Sequence, residues 1–205
     1  MLETLCIWRY LHLWCTSTLP DMSDNPASAD NQQERLCIFP PSDLGNYLAG
    51  FVDGEGSFNI SFRKRNDYRS PWKISACFNI SQKEKHILGL FQIHLQCGTL
   101  RSRPDGIWYY EVNTLNDIER CVIPFFKNFP FLSRKKQRDF AIFCEIVALL
   151  SVGKHLVKDG VENILSLRRI MNDGGKRKYS EQEILNAYRE SSETIRQIPL
   201  SEEKI

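Results

Sequence analysis

The chain of 205 residues has no apolar run near the roughly 20 residues a membrane-spanning helix needs. Its best candidate, Leu5 to Trp14, is too short and carries Arg9 and His12. No two of its seven cysteines (Cys6, Cys15, Cys37, Cys77, Cys97, Cys121, Cys144) are spaced as C-x-x-C, their count is odd, and no convincing secretory signal opens the chain. A structural zinc site and a disulfide framework are thereby disfavoured, and free thiols in a reducing, intracellular compartment are the simpler reading. A P-loop, a G-x-S-x-G elbow and an H-E-x-x-H pair are all missing, which removes the common phosphate-cradling, serine-hydrolase and zinc-protease classes.

An overall excess of charge is also missing, since the net charge is only +2. The distribution is uneven. Ser61 to Phe140 holds fifteen Lys and Arg against seven Asp and Glu, while the remainder is net acidic. A basic middle points toward a polyanionic partner. The apolar fraction of 42% suffices for a real core, and the length suits one domain or two small ones.

Residues 1–41 read as a poorly ordered leader and linker: Leu19 to Arg35 is rich in Asp, Asn, Ser and Pro, and Met22 is a second candidate start. A domain is expected over 42–195, with 196–205 as a tail. A helix is expected from Ser42 to about Val52, with Leu44, Tyr47, Leu48 and Phe51 as its apolar stripe. Its second face is small or short: Gly45, Asn46, Ala49, Gly50 and Asp53. Period-two alternation predicts strands over 57–65 and 72–81, and two further strands over 99–103 and 107–113 flank a Pro104-Asp105-Gly106 turn. Helices are expected over 83–96, from Asn116 to Phe129 with a break or bend at Pro124, over 134–150 and over 161–171, with a last one behind the capping-box signature Ser180-x-x-Glu183. The fold class is α+β: an antiparallel four-stranded sheet with helices packed on one face, its core in the order αββαββα.

The stretch Leu48-Ala49-Gly50-Phe51-Val52-Asp53-Gly54-Glu55-Gly56 carries the chemistry. A carboxylate at the negative end of a helix is unfavourable for stability alone. Small residues on the helix let a second backbone approach, and a dimer formed there would bring two Glu55 carboxylates close together. A divalent cation with oxygen ligands would relieve their repulsion.

This stretch resembles the signature of the LAGLIDADG homing endonucleases, and the order of strands and helices behind it is similar to theirs. Only one copy is present, and the resemblance then implies a homodimer with the motif helix on the two-fold axis. It implies that Glu55 binds Mg²⁺ (or Mn²⁺). It implies Gln82 as a water-positioning residue, in Phe78-Asn79-Ile80-Ser81-Gln82, and Lys135 as the active-site lysine, in Phe131-Leu132-Ser133-Arg134-Lys135-Lys136, with Lys136 as the competing neighbour. His86, four residues after Gln82, is a lesser candidate.

The same resemblance implies a saddle-shaped sheet over double-stranded DNA. The predicted contacts are Asn59, Ser61, Arg63, Arg65, Lys73, Ser75, Cys77, Asn79, Thr99, Arg101 and Arg103, with Tyr68 reaching outward from the loop after the first strand. Whether Trp108 and Tyr110 or Tyr109 and Glu111 face outward stays open. The dimer contact is assigned to Gly45, Asn46, Ala49, Gly50 and Asp53. The implied function is site-specific double-strand cleavage at a long pseudo-palindromic site by an intron-encoded enzyme, located where its host intron lies (bacterial cytoplasm or organelle). The alternatives are a group I intron RNA maturase and a nuclease-dead DNA-binding protein of the same fold.

Overall fold

The computed structural model describes residues 39–65, 72–174 and 177–196, with side chains described as far as 188 in the last segment. Residues 1–38 of the expected leader, Tyr68 and the tail from 197 lie outside the described residues.

Helix α1 (Ser42–Glu55) runs one turn further than the sequence reading, because β1 (Gly56–Lys64) starts immediately after it. Gly56 makes that abrupt change possible: a Cβ there would stand 2.5 Å from the Val52 side chain. Strand β2 (Trp72–Gln82) pairs antiparallel with β1 in the register Gly56↔Ile80 to Lys64↔Trp72. Helix α2 (Lys85–Leu95) follows, and then β3 (Thr99–Ser102) and β4 (Trp108–Val112) complete one sheet in the order β1-β2-β4-β3. The predicted α+β class, with four antiparallel strands in the order αββαββα, is the observed one.

Alternation decides the two faces. Phe58, Ile60 and Phe62 of β1, Ile74 to Ile80 at every second position of β2, and Tyr110 and Val112 of β4 are buried. The fourth strand therefore turns Tyr109 and Glu111 outward. Phe58 is the centre of the core, with the rings of Phe78, Phe126, Phe131, Phe140 and Phe143 at centroid distances of 5.0–5.9 Å.

The expected break at Pro124 is absent. Helix α3 (Leu115–Asp117) continues through a π turn (Ile118–Val122) into α4 (Ile123–Asn128), where Pro124 occupies the second position. The wide turn just before it accommodates a residue that has no N–H to give. Thr114, not Asn116, stands at the N-cap. Helix α5 (Arg134–Ser151), α6 (Lys158–Ile170) and α7 (Glu181–Arg196) complete the chain of elements. Ser180 caps α7 by accepting from the Glu183 N–H, but the Glu183 carboxylate turns to Lys64 at 2.8 Å, so only half of the capping box forms. No described helix is long and apolar enough to cross a membrane.

Among the described residues the outer edge of β1 has no strand neighbour, and side chains from the later elements take its carbonyls. Lys136 Nζ donates to Gly56 O (2.5 Å), Asn172 Nδ2 to Phe58 O (2.8 Å) and Arg168 Nε to Ile60 O (3.0 Å). An exposed edge would invite pairing with another chain, and this row of donors closes it. The strand nearest the motif is thus held by α5, by α6 and by the 171–174 turn, in which Asn172 and Asp173 adopt left-handed backbone angles.

Candidate active site and nucleic-acid interface

Glu55 is the last residue of α1. It is exposed, and among the described residues it forms no ion pair. Gln82 is the last residue of β2, two positions beyond the partner of Gly56, so it lies at the same end of the sheet as the α1–β1 junction. Its Oε1 accepts from the Lys83 N–H at 2.8 Å. His86 is exposed in the first turn of α2.

The two candidate lysines part company. Lys135 is exposed and bonds Asp173 at 2.6 Å, which holds its ammonium above the ordinary value. Lys136 is half-buried and reaches Gly56 O beside Glu55, and burial pulls its ammonium below the ordinary value. Adjacent residues on a helix point about 100° apart, so only one of them can turn toward the motif. Lys136, and not Lys135, is thus the lysine that lies beside the motif.

Asp53 also has a definite partner. It accepts from both the N–H (2.9 Å) and the hydroxyl of Ser133, the N-cap residue of α5. Ser133 Oγ in turn accepts from the Lys136 N–H at 3.3 Å. A carboxylate misplaced at the end of α1 is therefore well placed at the beginning of α5, where partial positive charge accumulates.

The face assigned to a dimer contact needs correction. Gly45 and Ala49 are buried in the chain's own core; a Cβ on Gly45 would stand 2.3 Å from the Phe129 ring. Asp53 is committed to Ser133. Tyr47, read as part of the apolar stripe, is 56% exposed. The exposed stripe of α1 is Asn46, Tyr47, Gly50 and Gly54, and a Cβ on either glycine would meet nothing within 4 Å. Leu132, next to Ser133, is 90% exposed.

The outer face of the sheet presents Asn59, Ser61 and Arg63 of β1, Lys73, Ser75, Cys77 and Asn79 of β2, and Thr99 and Arg101 of β3, all on one side as their alternation predicted. Arg103 stacks on Tyr109 at 3.8 Å. Arg65 follows β1. Ser57, Ser81 and Glu111, which are not among the predicted contacts, lie on this face too, and Glu111 with Tyr109 resolves the choice left open for the fourth strand. Glu111 takes an ion pair from Arg101 and accepts from the Cys77 thiol at 3.4 Å. Burial, and then Glu111 itself, push that thiol up to about 12. The surface is a hydrogen-bonding, largely basic ribbon of the kind that can meet base edges in a major groove.

Comparison with known proteins agrees with this arrangement. The profile described as LAGLIDADG endonuclease matches residues 48–147. Homing endonuclease I-ApeII of Aeropyrum pernix is 31% identical over 150 residues, which are 69% of this chain and 88% of that protein. Probable intron-encoded endonuclease 3 of Neurospora crassa is 28% identical over 62% of this chain, which spans 24% of that longer protein. Among solved structures, the archaeal intron-encoded homing endonuclease I-Vdi141I complexed with DNA superimposes with a TM-score of 0.66 at 25% identity, covering 72% of this chain and 96% of that one. Meganuclease I-SmaMI bound to uncleavable DNA gives a TM-score of 0.60 at 28% identity, covering 64% of this chain but only 46% of its own. The motif-bearing helix, the four-stranded sheet and these relatives together establish that the chain belongs to the LAGLIDADG homing endonuclease family.

Proposed function

We propose that this chain is a site-specific double-strand DNA endonuclease, encoded within an intron and acting as a homodimer on a long pseudo-palindromic site, in whichever compartment holds the genome that carries the intron. The observation that carries the reading is Glu55: an exposed carboxylate without an ion pair among the described residues, at a helix end where its charge is unfavourable, set beside a half-buried lysine.

The dimer is supported by the open Gly50 and Gly54 positions, four residues apart on one face of α1, which let a second helix backbone approach. It is supported too by coverage, since one copy of this chain matches about half of I-SmaMI but nearly all of I-Vdi141I. Two copies joined through α1 bring their two Glu55 carboxylates together.

A divalent metal fits this donor set. Within one chain, no group of three or more His, Cys, Asp or Glu forms a metal cluster among the described residues. A second copy's Glu55 and phosphate oxygens would complete a hard-oxygen set suited to Mg²⁺ or Mn²⁺. When bound, such an ion supplies Lewis-acid activation of water and of the scissile phosphate. Glu55 holds it. Gln82 orients water. Lys136 offers an ammonium to charge that develops on the phosphate. The outer sheet face reads the duplex through Asn59, Ser61, Arg63, Lys73, Ser75, Asn79, Thr99 and Arg101, with Arg65, Cys77 and Arg103 at its margins and centre.

The test is cleavage of a duplex that carries the host gene's fused exons, without the intron, in Mg²⁺. A double-strand break near the junction, lost in EDTA and in Glu55→Gln while binding persists, is expected. Cutting by Glu55→Gln, or tight binding to intron RNA with no DNA cleavage, overturns the proposal.

A further inference from the structure

A second basic surface lies outside the sheet's reading face. An open groove of about 660 Å³ runs along the outer edge of β1 and is walled by α6 and by the segment 177–179 that leads into α7. Arg63, Lys64, Arg168, Arg177, Lys178 and Tyr179 line it, and no acidic residue does among the described residues. The two nearby carboxylates are already taken: Glu183 by Lys64, and Glu181 by Arg169. Arg63, Arg168, Arg177 and Lys178 form no ion pair among the described residues. Four cations are thus gathered without an ion pair of their own, and Glu181, already bonded to Arg169, is the carboxylate whose charge Arg168 and Arg177 feel.

The groove is held in shape. Arg168 fastens to β1 through Ile60 O and lies over the Phe62 ring at 4.8 Å. Arg177 donates to Arg168 O (2.7 Å) and Met171 O (3.2 Å), which brings the second guanidinium beside the first. Burial, and then the charge of Arg177, push Arg168 down to about 10. Tyr179 packs edge-on against Trp72 at 4.8 Å, and Lys178 lies over its ring at 5.2 Å. Packing like charges together against apolar rings costs stability unless an anion arrives to neutralise them.

The groove is continuous with the reading face, because Asn59, Ser61 and Arg63 border both. A duplex lying on the sheet would carry its backbone across this rim. We propose that the groove is a docking site for backbone phosphates of duplex DNA, extending the contact beyond the base pairs under the sheet. This rests on the DNA-cleaving reading above. Most of the groove's cations come from residues 168–178, beyond the 48–147 stretch that the family profile matches. Contacts of this class position the duplex and carry no sequence information.

The experiment measures affinity against salt for a 60-bp duplex of the fused exon junction, for a scrambled duplex of equal length and for the intron RNA. Each lost phosphate contact lowers the slope of log K against log[salt] by about 0.9 on B-DNA. Arg177→Gln and Lys178→Gln should each lower it by about that much, on junction and scrambled duplexes alike. Arg177→Lys should keep it. Lys178→Gln bonds no carbonyl, so it stays informative if Arg177→Gln melts early. An unchanged slope in Lys178→Gln and in a folded Arg177→Gln overturns the groove while junction cleavage by the unaltered protein leaves the endonuclease standing. A loss seen only with RNA also overturns it. Absence of wild-type cleavage is the separate failure of the endonuclease reading.

Discussion

Asp53 and Ser133, 80 residues apart in the chain, are bonded twice, the carboxylate accepting from both the backbone N–H and the hydroxyl. That pair joins the end of the motif helix to the start of α5. Through Ser133 Oγ it also steadies the N–H of Lys136, one turn on, whose Nζ reaches back to Gly56 O. Helix end, strand start and lysine are one closed loop of contacts. The first acid of the motif is accordingly engaged within the chain, while the second, Glu55, forms no ion pair among the described residues.

Breaking the loop at Ser133 should therefore show in two ways. Ser133→Ala removes an N-cap and one of the Asp53 bonds, at a cost of about 1 kcal/mol in stability. The urea midpoint checks that. Cleavage should fall more steeply than stability explains, with DNA affinity little changed, because α5 also carries the lysine. A variant with wild-type turnover and only a lowered midpoint would reduce the pair to scaffolding.

The two lysines are separable by pH. A lysine that must be protonated limits the rate at high pH, and the limb falls at its own pKa. Burial lowers Lys136 below 10.5, whereas the hydrogen bond to Asp173 raises Lys135 above it. If Lys136 acts, kcat declines on the alkaline side before 10.5 is reached, and Lys136→Arg pushes that decline upward because guanidinium does not titrate there. Lys135→Met should leave the profile where it was. A decline unmoved by Lys136→Arg returns the assignment to Lys135.

The glycines of α1 should divide by face. Gly45→Ala drives a Cβ into the Phe129 ring, an overpacking that costs about 1–3 kcal/mol. A Cβ at Gly50 meets nothing within 4 Å, and Gly50→Leu gains helix propensity, so monomer stability should hold or rise. Its effect belongs to the dimer. Sedimentation should show Gly50→Leu as monomer under conditions where the unaltered chain dimerises, with cleavage lost. A Gly50→Leu dimer of normal affinity would place the interface elsewhere.

Those faces also show why some of the molecule was legible in sequence and some was not. Strands β1 and β2 announce themselves, because period two over nine and eleven residues leaves no other way to bury Phe58, Phe78 and their neighbours. The motif places Glu55 because its small and acidic residues have a single geometric order. The short β4 held two candidate faces until its pairing with β2 put Tyr110 opposite Ile80. Lys135 and Lys136 are adjacent, so no periodicity chooses between them; a contact with a residue 80 positions away does. The small face of α1 was displaced by part of a turn, because a glycine signals close approach without saying whether the partner is Phe129 of the same chain or a second copy.

Glu111 is the one acid on the outer sheet face among the described residues, and it sits opposite both Asn79 and Thr99. A carboxylate facing a polyanion costs affinity, so its ion pair with Arg101 is best understood as restraint: it keeps that guanidinium from settling on whichever phosphate is near, and leaves it to be drawn off by a guanine edge. Glu111→Gln removes the charge and frees Arg101. Affinity for a random duplex should rise, and the salt slope should steepen by about 0.9 as Arg101 settles on one more phosphate. The ratio of junction to random affinity should fall, by up to the ~1–3 kcal/mol that one bidentate base contact is worth. The Cys77 thiol, relieved of a neighbouring carboxylate, should titrate below its present value of about 12 but stay raised by burial. If random and junction duplexes instead gain equally, Glu111 only repels DNA and Arg101 reads nothing.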